Sequence, residues 1–344
     1  MKLILFFIII HLLNTCAFVY SKLSTNLYSS SNIKLSNKNS IDTNLSTKKN
    51  FKLHKFNNFL HIIRYKNILP TILLSFAGTW IITPSLNLFN YVSFIVTSFI
   101  TILIMASSMI INDIFDVNVD KINNPSRPLV TGQIKLYEAY LYFISLITLT
   151  EFLNLKYLSK KLQNIVHAAI CVITLYTPIL KKIFFIKNIS CASLVAFGIY
   201  FAGLASNNSN IILTQNISLL YVATRLIFFG SLYNELLLDM YDSEGDKLNK
   251  IYTIPVLFGL KFSLIFALII LLTNLIINYI SLSSIFTKNI ASFLILICSH
   301  MFIDIYTIYK YNYSKNIIYY SVKNTNKPLF LSLIFLCILS CYNK

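Results

Sequence analysis

Residues 112–120 read NDIFDVNVD. They close a long apolar run and place Asp113, Asp116 and Asp120 where the chain should be leaving a membrane. Residues 239–246, DMYDSEGD, repeat the spacing with Asp239, Asp242 and Asp246. On a helix, positions i, i+3 and i+7 line one side and span about 10.5 Å. Each set therefore reads as a carboxylate stripe, with Asn112 beside Asp116 in the first.

The surrounding chain explains why this is unusual. Of 344 residues, 56% are hydrophobic, 29 are Lys or Arg and only 12 are Asp or Glu; the mean hydropathy is +0.68. Apolar stretches of about 18 residues or more read as membrane-spanning helices. Nine are expected, over 57–83, 88–112, 134–154, 162–180, 188–206, 217–238, 262–282, 288–310 and 327–341, the last of them short. Lipid offers the backbone no hydrogen bonds, so these are helices rather than strands. The expected fold is all-α, a nine-helix membrane bundle. The six cysteines have no CxxC or metal-ligand spacing, and Cys171, Cys191, Cys298 and Cys337 read as small core residues of apolar helices.

The N-terminus differs. MKLILFFIIIHLLNTCAFVYS has an early lysine, an apolar run and small residues near its end, the shape of a signal peptide. Residues 22–55 are rich in Ser, Asn and Lys, with Asp42 the one acid. Together they resemble the bipartite leader of plastids bounded by extra membranes. The expected layout is 1–21 signal-like, 22–55 transit-like and 56–344 one membrane domain, in an integral protein of a plastid membrane.

With nine helices, loops alternate between faces. The even loops carry Lys121, Arg127, Lys135, Lys181, Lys182, Lys187, Lys247, Lys250, Lys261, Lys310, Lys315, Lys323 and Lys327; the odd loops carry Lys156, Lys160, Lys161 and Lys288. Thirteen cations against four puts both aspartate clusters on the side from which the helices insert. Fixing topology accounts for many of these cations, but not for six aspartates on the same face.

Carboxylates at membrane depth are costly and usually functional. Hard oxygen ligands in this number suit Mg²⁺, which takes a carboxylate or two and completes its shell with water and phosphate oxygens. Two facing stripes would hold Mg²⁺ ions and a diphosphate between them, with Lys121, Arg127, Lys181 and Lys182 adding positive charge. An EF-hand does not fit this spacing. Two alternatives stand beside the metal reading: acids that merely cap helix ends, and the acidic path of an ion-coupled membrane transporter.

Beyond physics, the segments carry a family likeness. NDIFDVNVDKINNPSRPLVTG resembles the first motif of the UbiA superfamily of intramembrane prenyltransferases, NDxxDxxxD followed by an RP pair and a glycine. NELLLDMYDSEGDKLNKIYTIPVLFG resembles the second, DxxDxxGD followed by a TLP-like turn, and LYTPILKK at 175–182 resembles the tyrosine-to-lysine stretch after the fourth helix. Lys250 departs from the glycine often found in the second motif. The resemblance covers residues 57–341 and implies Mg²⁺-dependent transfer of a polyprenyl group from its diphosphate to an acceptor, with release of pyrophosphate. It implies a first metal site at Asn112, Asp113, Asp116 and Asp120 and a second at Asp239, Asp242 and Asp246. Arg127, Lys181 and Lys182 would contact the diphosphate, Tyr176 would lie nearby, and Arg64 and Asn67 would form a polar start to helix 1. DKINNPSRPLVTG and SEGD resemble most the branch with chlorophyll synthases, homogentisate prenyltransferases and geranylgeranylglyceryl-phosphate transferases, so the acceptor class is a tetrapyrrole, a quinone precursor or a glycerophosphate. The partners implied are a polyprenyl diphosphate, its acceptor and membrane lipid, with no nucleic acid.

Other polar groups lie within the spans. Arg225 sits about 12 Å into the sixth helix by helical rise and is expected to snorkel toward the odd-loop surface. His300 and Asp304, one turn apart, form a structural pair or line an acceptor pocket. His167 reads as a hydrogen-bonded core residue.

Overall fold

The computed structural model describes residues 55–206, 214–248 and 251–342. Both leader segments expected before Lys55, and Lys250, lie outside the described residues. The first helix, α1, covers 55–62. It is followed by α2 (Ile68–Ile82), α3 (Val92–Phe115), α4 (Val117–Asn123), α5 (Leu136–Tyr157), α6 (Lys160–Tyr176) and α7 (Ile186–Ala205). The chain continues through α8 (Thr214–Leu248), α9 (Ile254–Ile285), α10 (Lys288–Lys310) and α11 (Lys315–Tyr342). Among the described residues there is no strand. Phe56–Lys344 form one unit.

Among the described residues, nine helices of at least 15 residues match the nine apolar stretches in order. Seven are long and apolar enough to cross a membrane, namely α3, α5 and α7–α11. Helices α2, with 15 residues, and α6, with 17, are shorter than these seven, so the expected count of nine is approximate. The first stretch is also not continuous. It breaks between α1 and α2, where Arg64 adopts a left-handed conformation (φ 50°) ahead of a 3₁₀ turn at Tyr65–Asn67. Of the cations placed in even loops, Lys121, Lys187, Lys247, Lys261, Lys310, Lys315, Lys323 and Lys327 lie on helices, as do all four of the odd set, Lys156, Lys160, Lys161 and Lys288. The helices extend beyond their apolar cores into the interface.

Helix α8 is central and packs against α7, α9 and α11. Helix α2 packs on α7, and α3 on α5. Close approach of α2 and α7 depends on Gly78, where a Cβ would stand 2.1 Å from the Ile199 carbonyl oxygen. Small residues let helix backbones meet in lipid, where no hydrophobic force drives them together. Two threonine hydroxyls on α3 are satisfied within the helix, Thr97 donating to the Ser93 carbonyl at 2.7 Å and Thr101 to the Thr97 carbonyl at 2.8 Å, whereas those of Ser98 and Ser107 are buried without a partner. The Trp80 indole donates to the Cys337 carbonyl at 3.2 Å, tying α2 to α11. Among the cysteines, Cys298 and Cys337 are buried as expected, whereas Cys171 is exposed and Cys191 half-buried.

Candidate functional site

The first aspartate cluster is not on one continuous helix, as its spacing implies. Helix α3 ends at Phe115, Asp116 is the junction (φ −91°, ψ 6°), and α4 starts at Val117. The hydrogen-bond ladder still crosses the junction, with Asp116 N–H donating to the Asn112 carbonyl at 2.9 Å and Asp120 N–H to that of Asp116 at 2.8 Å. The three side chains therefore stay together, and all three are buried. Arg127, in the loop before α5, bridges two of them, donating to Asp113 Oδ1 at 2.5 Å and Asp120 Oδ2 at 2.6 Å. Arg64 reaches the same Asp113 oxygen at 2.9 Å. Its left-handed backbone, costing roughly 1 kcal/mol or more for a non-glycine residue, turns the end of α1 toward the cluster. Lys181 donates to Asp116.

The second cluster sits on the last turns of α8, which runs unbroken to Leu248. Asp239 accepts from Lys187 Nζ at 2.5 Å and from Asn188 Nδ2 at 2.8 Å. Asp246 is buried, and its Oδ2 has no hydrogen bond of ordinary length, with the Thr253 hydroxyl beside it. Asp242 is exposed, and Lys187 and Lys315 are the cations acting on it. Glu235, one turn deeper than Asp239 on the same face, neighbours Lys187 and Cys191. The Cys191 thiol donates to the Tyr176 hydroxyl at 3.1 Å. Thr253 caps α9 and Pro255 stands in its first turn, where a missing N–H costs nothing.

The two clusters share one cationic connection. The link from α6 to α7 gives Lys181 to Asp116 and, six residues on, the first turn of α7 gives Lys187 to Asp239. Phe185 within it takes a left-handed conformation (φ 61°) immediately before α7. Non-glycine residues hold such conformations only where their surroundings over-determine them. One short strap thus answers both aspartate sets.

Could these residues hold a divalent ion? The six aspartates and Glu235 face five cations, Arg64, Arg127, Lys181, Lys187 and Lys315. Among the described side chains negative charge is in excess, and a buried Asp246 oxygen makes no hydrogen bond of ordinary length. Among the described residues no three His, Cys, Asp or Glu groups converge to enclose an ion by themselves. Mg²⁺ does not require that, since it fills most of its shell with water and phosphate. The donor set fits. Outside the apolar spans, burial pushes the Asp120 carboxyl above its ordinary value of 3.8, and Arg127 opposes the shift.

Other expected residues are placed less directly. Asn112 is half-buried and contributes its backbone carbonyl. Asn67 is the N-cap of α2, and its carbonyl accepts from Thr71 Oγ1 at 2.8 Å. The backbone of Lys182 lies in the strap's 3₁₀ turn, but its side chain is outside the described residues. Lys121 bonds to Asn118 at 3.4 Å. Lys187, Asn188, Glu235 and Cys191 were given no site role from sequence. Glu235 was findable, because 235, 239, 242 and 246 share one helical face. His167 is half-exposed and meets Glu151 at 3.1 Å, so it is not a core residue. Asp304 is buried and its pair with the exposed His300 is long, 4.0 Å. Arg225 donates to Ser281 near the end of α9 at 2.7 Å, and its Nε is buried without a partner.

Residues 68–334 match the UbiA prenyltransferase family. A digeranylgeranylglyceryl phosphate synthase of Sulfolobus acidocaldarius is 32% identical over 220 residues, 62% of this chain and 74% of the relative. The synthase of Methanosphaera stadtmanae is 28% identical over 216 residues, 62% of this chain and 74% of its own. Among solved structures, a digeranylgeranylglyceryl phosphate synthase superposes with a TM-score of 0.64 at 25% identity, covering 84% of this chain and 99% of the other. A UbiA homologue from Archaeoglobus fulgidus, bound to DMAPP and Mg²⁺, gives 0.60 at 20% identity over 83% of this chain and 99% of its own, a likeness of fold.

Proposed function

Because this chain belongs to the UbiA prenyltransferase family and is a prenyl-group transferase, we propose that it moves a geranylgeranyl-type group from its diphosphate to the hydroxyl of a prenylated glycerophosphate, with Mg²⁺ as cofactor. Two kinds of support bear on the acceptor. The relatives carry the name of a digeranylgeranylglyceryl phosphate synthase. The motif residues also resemble the branch that includes such enzymes. A tetrapyrrole or a quinone precursor is the competing outcome. Membership of a prenyltransferase family leaves the transporter reading without support.

The observation that carries the mechanism is the strap that lays Lys181 on one aspartate set and Lys187 on the other. We assign Asp113 and Asp116 to one metal site and Asp239, Asp242 and Asp246 to the other. When bound, Mg²⁺ supplies charge neutralisation for the leaving diphosphate. Arg127, Lys181 and Lys187 exchange their carboxylate partners for diphosphate oxygens, which are stronger acceptors for charge-assisted bonds. The bond between the allylic carbon and the diphosphate oxygen breaks, and its electron pair leaves with the diphosphate. The acceptor oxygen then bonds to that carbon, and its proton passes to the departing pyrophosphate. Buried placement of five of the six aspartates, all but the exposed Asp242, keeps these charges in a low-dielectric setting, where preorganised groups act most strongly.

The test is pyrophosphate release by purified protein in lipid nanodiscs, given geranylgeranyl diphosphate and, in separate reactions, geranylgeranylglyceryl phosphate, homogentisate or a chlorophyllide. Release with the glycerophosphate and its disappearance on chelation of Mg²⁺ support the reading. Turnover with one of the other acceptors alone would reassign the branch.

A further inference from the structure

An open cleft of about 320 Å³ lies between α7 and α8, lined by Ala196, Phe197 and Tyr200 of the first and by Thr224, Arg225 and Phe228 of the second. We infer that it is a lipid site: one acyl chain of an anionic phospholipid lies along the cleft, and the phosphate of that lipid bonds to Arg225. The lipid comes from the leaflet opposite the aspartate clusters. The site is therefore distinct from that of transfer and does not depend on the reaction proposed above.

The first argument is orientation. At 3.6 residues per turn, Ser193, Ala196 and Tyr200 fall on the side of α7 away from Lys187 and Cys191, so the cleft faces away from the aspartates. Ser193, also in its lining, and Tyr221 beside it are exposed, and in a membrane that exposure is to lipid. At the aspartate end, Phe185 ahead of α7 meets Phe266 of α9 with ring centroids 5.4 Å apart. Fifteen residues on from each of these lie Tyr200 and Ser281, both about 22 Å further along by helical rise. Arg225 bonds to Ser281. Tyr200, Arg225 and Ser281 thus share one level, at the end of the cleft remote from the aspartates.

The second argument is depth. Tyr200 stands five residues before Ala205, where α7 ends, and Ser281 four before Ile285, where α9 ends. Helical rise puts both about 6–8 Å inside those ends. A bilayer of about 40–45 Å has a hydrocarbon core of about 30 Å, which leaves an interfacial layer of roughly 5–8 Å on each side. The guanidinium therefore lies where phosphates meet hydrocarbon. Tyrosines gather at that level, and here the Tyr200 ring tilts against that of Tyr221 at 6.1 Å with their hydroxyls as neighbours. Deeper in the cleft the walls are apolar, at Ala196, Phe197 and Phe228. Phe197 stacks on the buried Phe201 with centroids 5.0 Å apart, which gives an acyl chain a firm surface.

The third argument is charge. Of the three arginines in the chain, Arg64 and Arg127 both meet Asp113. Among the described residues Arg225 meets a hydroxyl, that of Ser281, and no carboxylate, and its Nε is buried without a partner. An uncompensated cation at this depth is costly. Phosphate oxygens suit the planar fork of a guanidinium and neutralise it, and basic pockets between transmembrane helices bind anionic head groups in this way. A zwitterionic lipid carries its own ammonium, which competes for the same phosphate.

The test is native mass spectrometry of the full-length protein in detergent, given equal amounts of phosphatidylglycerol and phosphatidylcholine with identical chains. Wild type should retain phosphatidylglycerol with a preference of about tenfold, the margin of an added charge-assisted pair. Arg225→Gln should bring the two lipids near parity, and Arg225→Lys should keep part of the preference. Ser193→Trp fills the cleft and leaves the guanidinium in place, so it should lower retention of both lipids. Excess free glycerol phosphate should not displace the bound lipid, because burial of the chain is part of the site. Equal retention by the wild type, a preference that survives Arg225→Gln, or displacement by glycerol phosphate would overturn the inference. So would a lipid-free dimer, which would assign this face to a second copy of the chain. Where Arg225→Gln fails to insert, the Lys and Trp variants decide between the same outcomes.

Discussion

Replacing Lys187 with methionine separates the strap's electrostatic role from its packing. Methionine keeps the apolar stem and removes the ammonium, leaving Asp239 with Asn188 alone at 2.8 Å. The pair is well shielded: the Lys187 side chain is 17% exposed and that of Asp239 is 4%. Breaking one partner out of a fully buried pair costs about 3–5 kcal/mol. Remaining access and the Asn188 bond lower that to roughly 2–3 kcal/mol for Lys187→Met. A divalent ion at Asp239 would replace the missing charge. Thermal unfolding in nanodiscs, with chelator and with millimolar Mg²⁺ plus pyrophosphate, should show the variant well below wild type in chelator and much closer to it with the ion pair present. Prenyl transfer should fall by about tenfold or more, because a cation on the leaving diphosphate is gone. A deficit of the same size with and without Mg²⁺ and pyrophosphate would refute the reasoning, since Lys187 would then act as ordinary structure.

Three further outcomes are expected. Gly78→Ala should destabilise the bundle by about 1–3 kcal/mol or more, because the new Cβ meets backbone at 2.1 Å and α2 must move away from α7; a wild-type unfolding temperature would contradict that packing. Asp120 titrates above its ordinary value, so its contribution to stability is complete below the unfolded value and is lost as pH rises through the folded one. Asp120→Asn cannot titrate, so its stability relative to wild type should improve as pH rises from about 4, the unfolded value, through the folded one, as read from unfolding at each pH. A chain beginning at Lys55 should insert and retain prenyl transfer, since the preceding tract is too polar beyond residue 21 to contribute to a core; loss of transfer despite normal insertion would count against the proposed leader.

Particular residues show how much could be read in advance. The nine apolar stretches were legible because lipid removes every backbone solution but the helix at that length. Their ends were not, since α8 and α11 carry charged residues well past the apolar core, and hydropathy stops where the charges begin. The aspartate spacing located both clusters, yet it could not show that Asp116 is a junction between two helices. Arg64 and Arg127 were suspected, whereas the geometry adds that both meet on Asp113. Lys187 looked like one more topology-setting cation among thirteen. What distinguishes it is the left-handed turn at Phe185 that begins α7, and a turn of that kind at a phenylalanine has no sequence mark. Glu151 and His167 were missed as a pair because they come from different helices.

The most direct measurement of the central claim is prenyl transfer by Asp116→Asn and Asp242→Asn, one from each cluster. Each change removes a charged oxygen ligand while nearly preserving size. With geranylgeranyl diphosphate, geranylgeranylglyceryl phosphate and saturating Mg²⁺, pyrophosphate release should fall at least about a hundredfold in both, the several kcal/mol expected of metal-assisted charge neutralisation. Insertion and unfolding temperature should stay near wild type. Two variants that fold and release pyrophosphate at the wild-type rate would contradict a site in which both clusters act on one diphosphate.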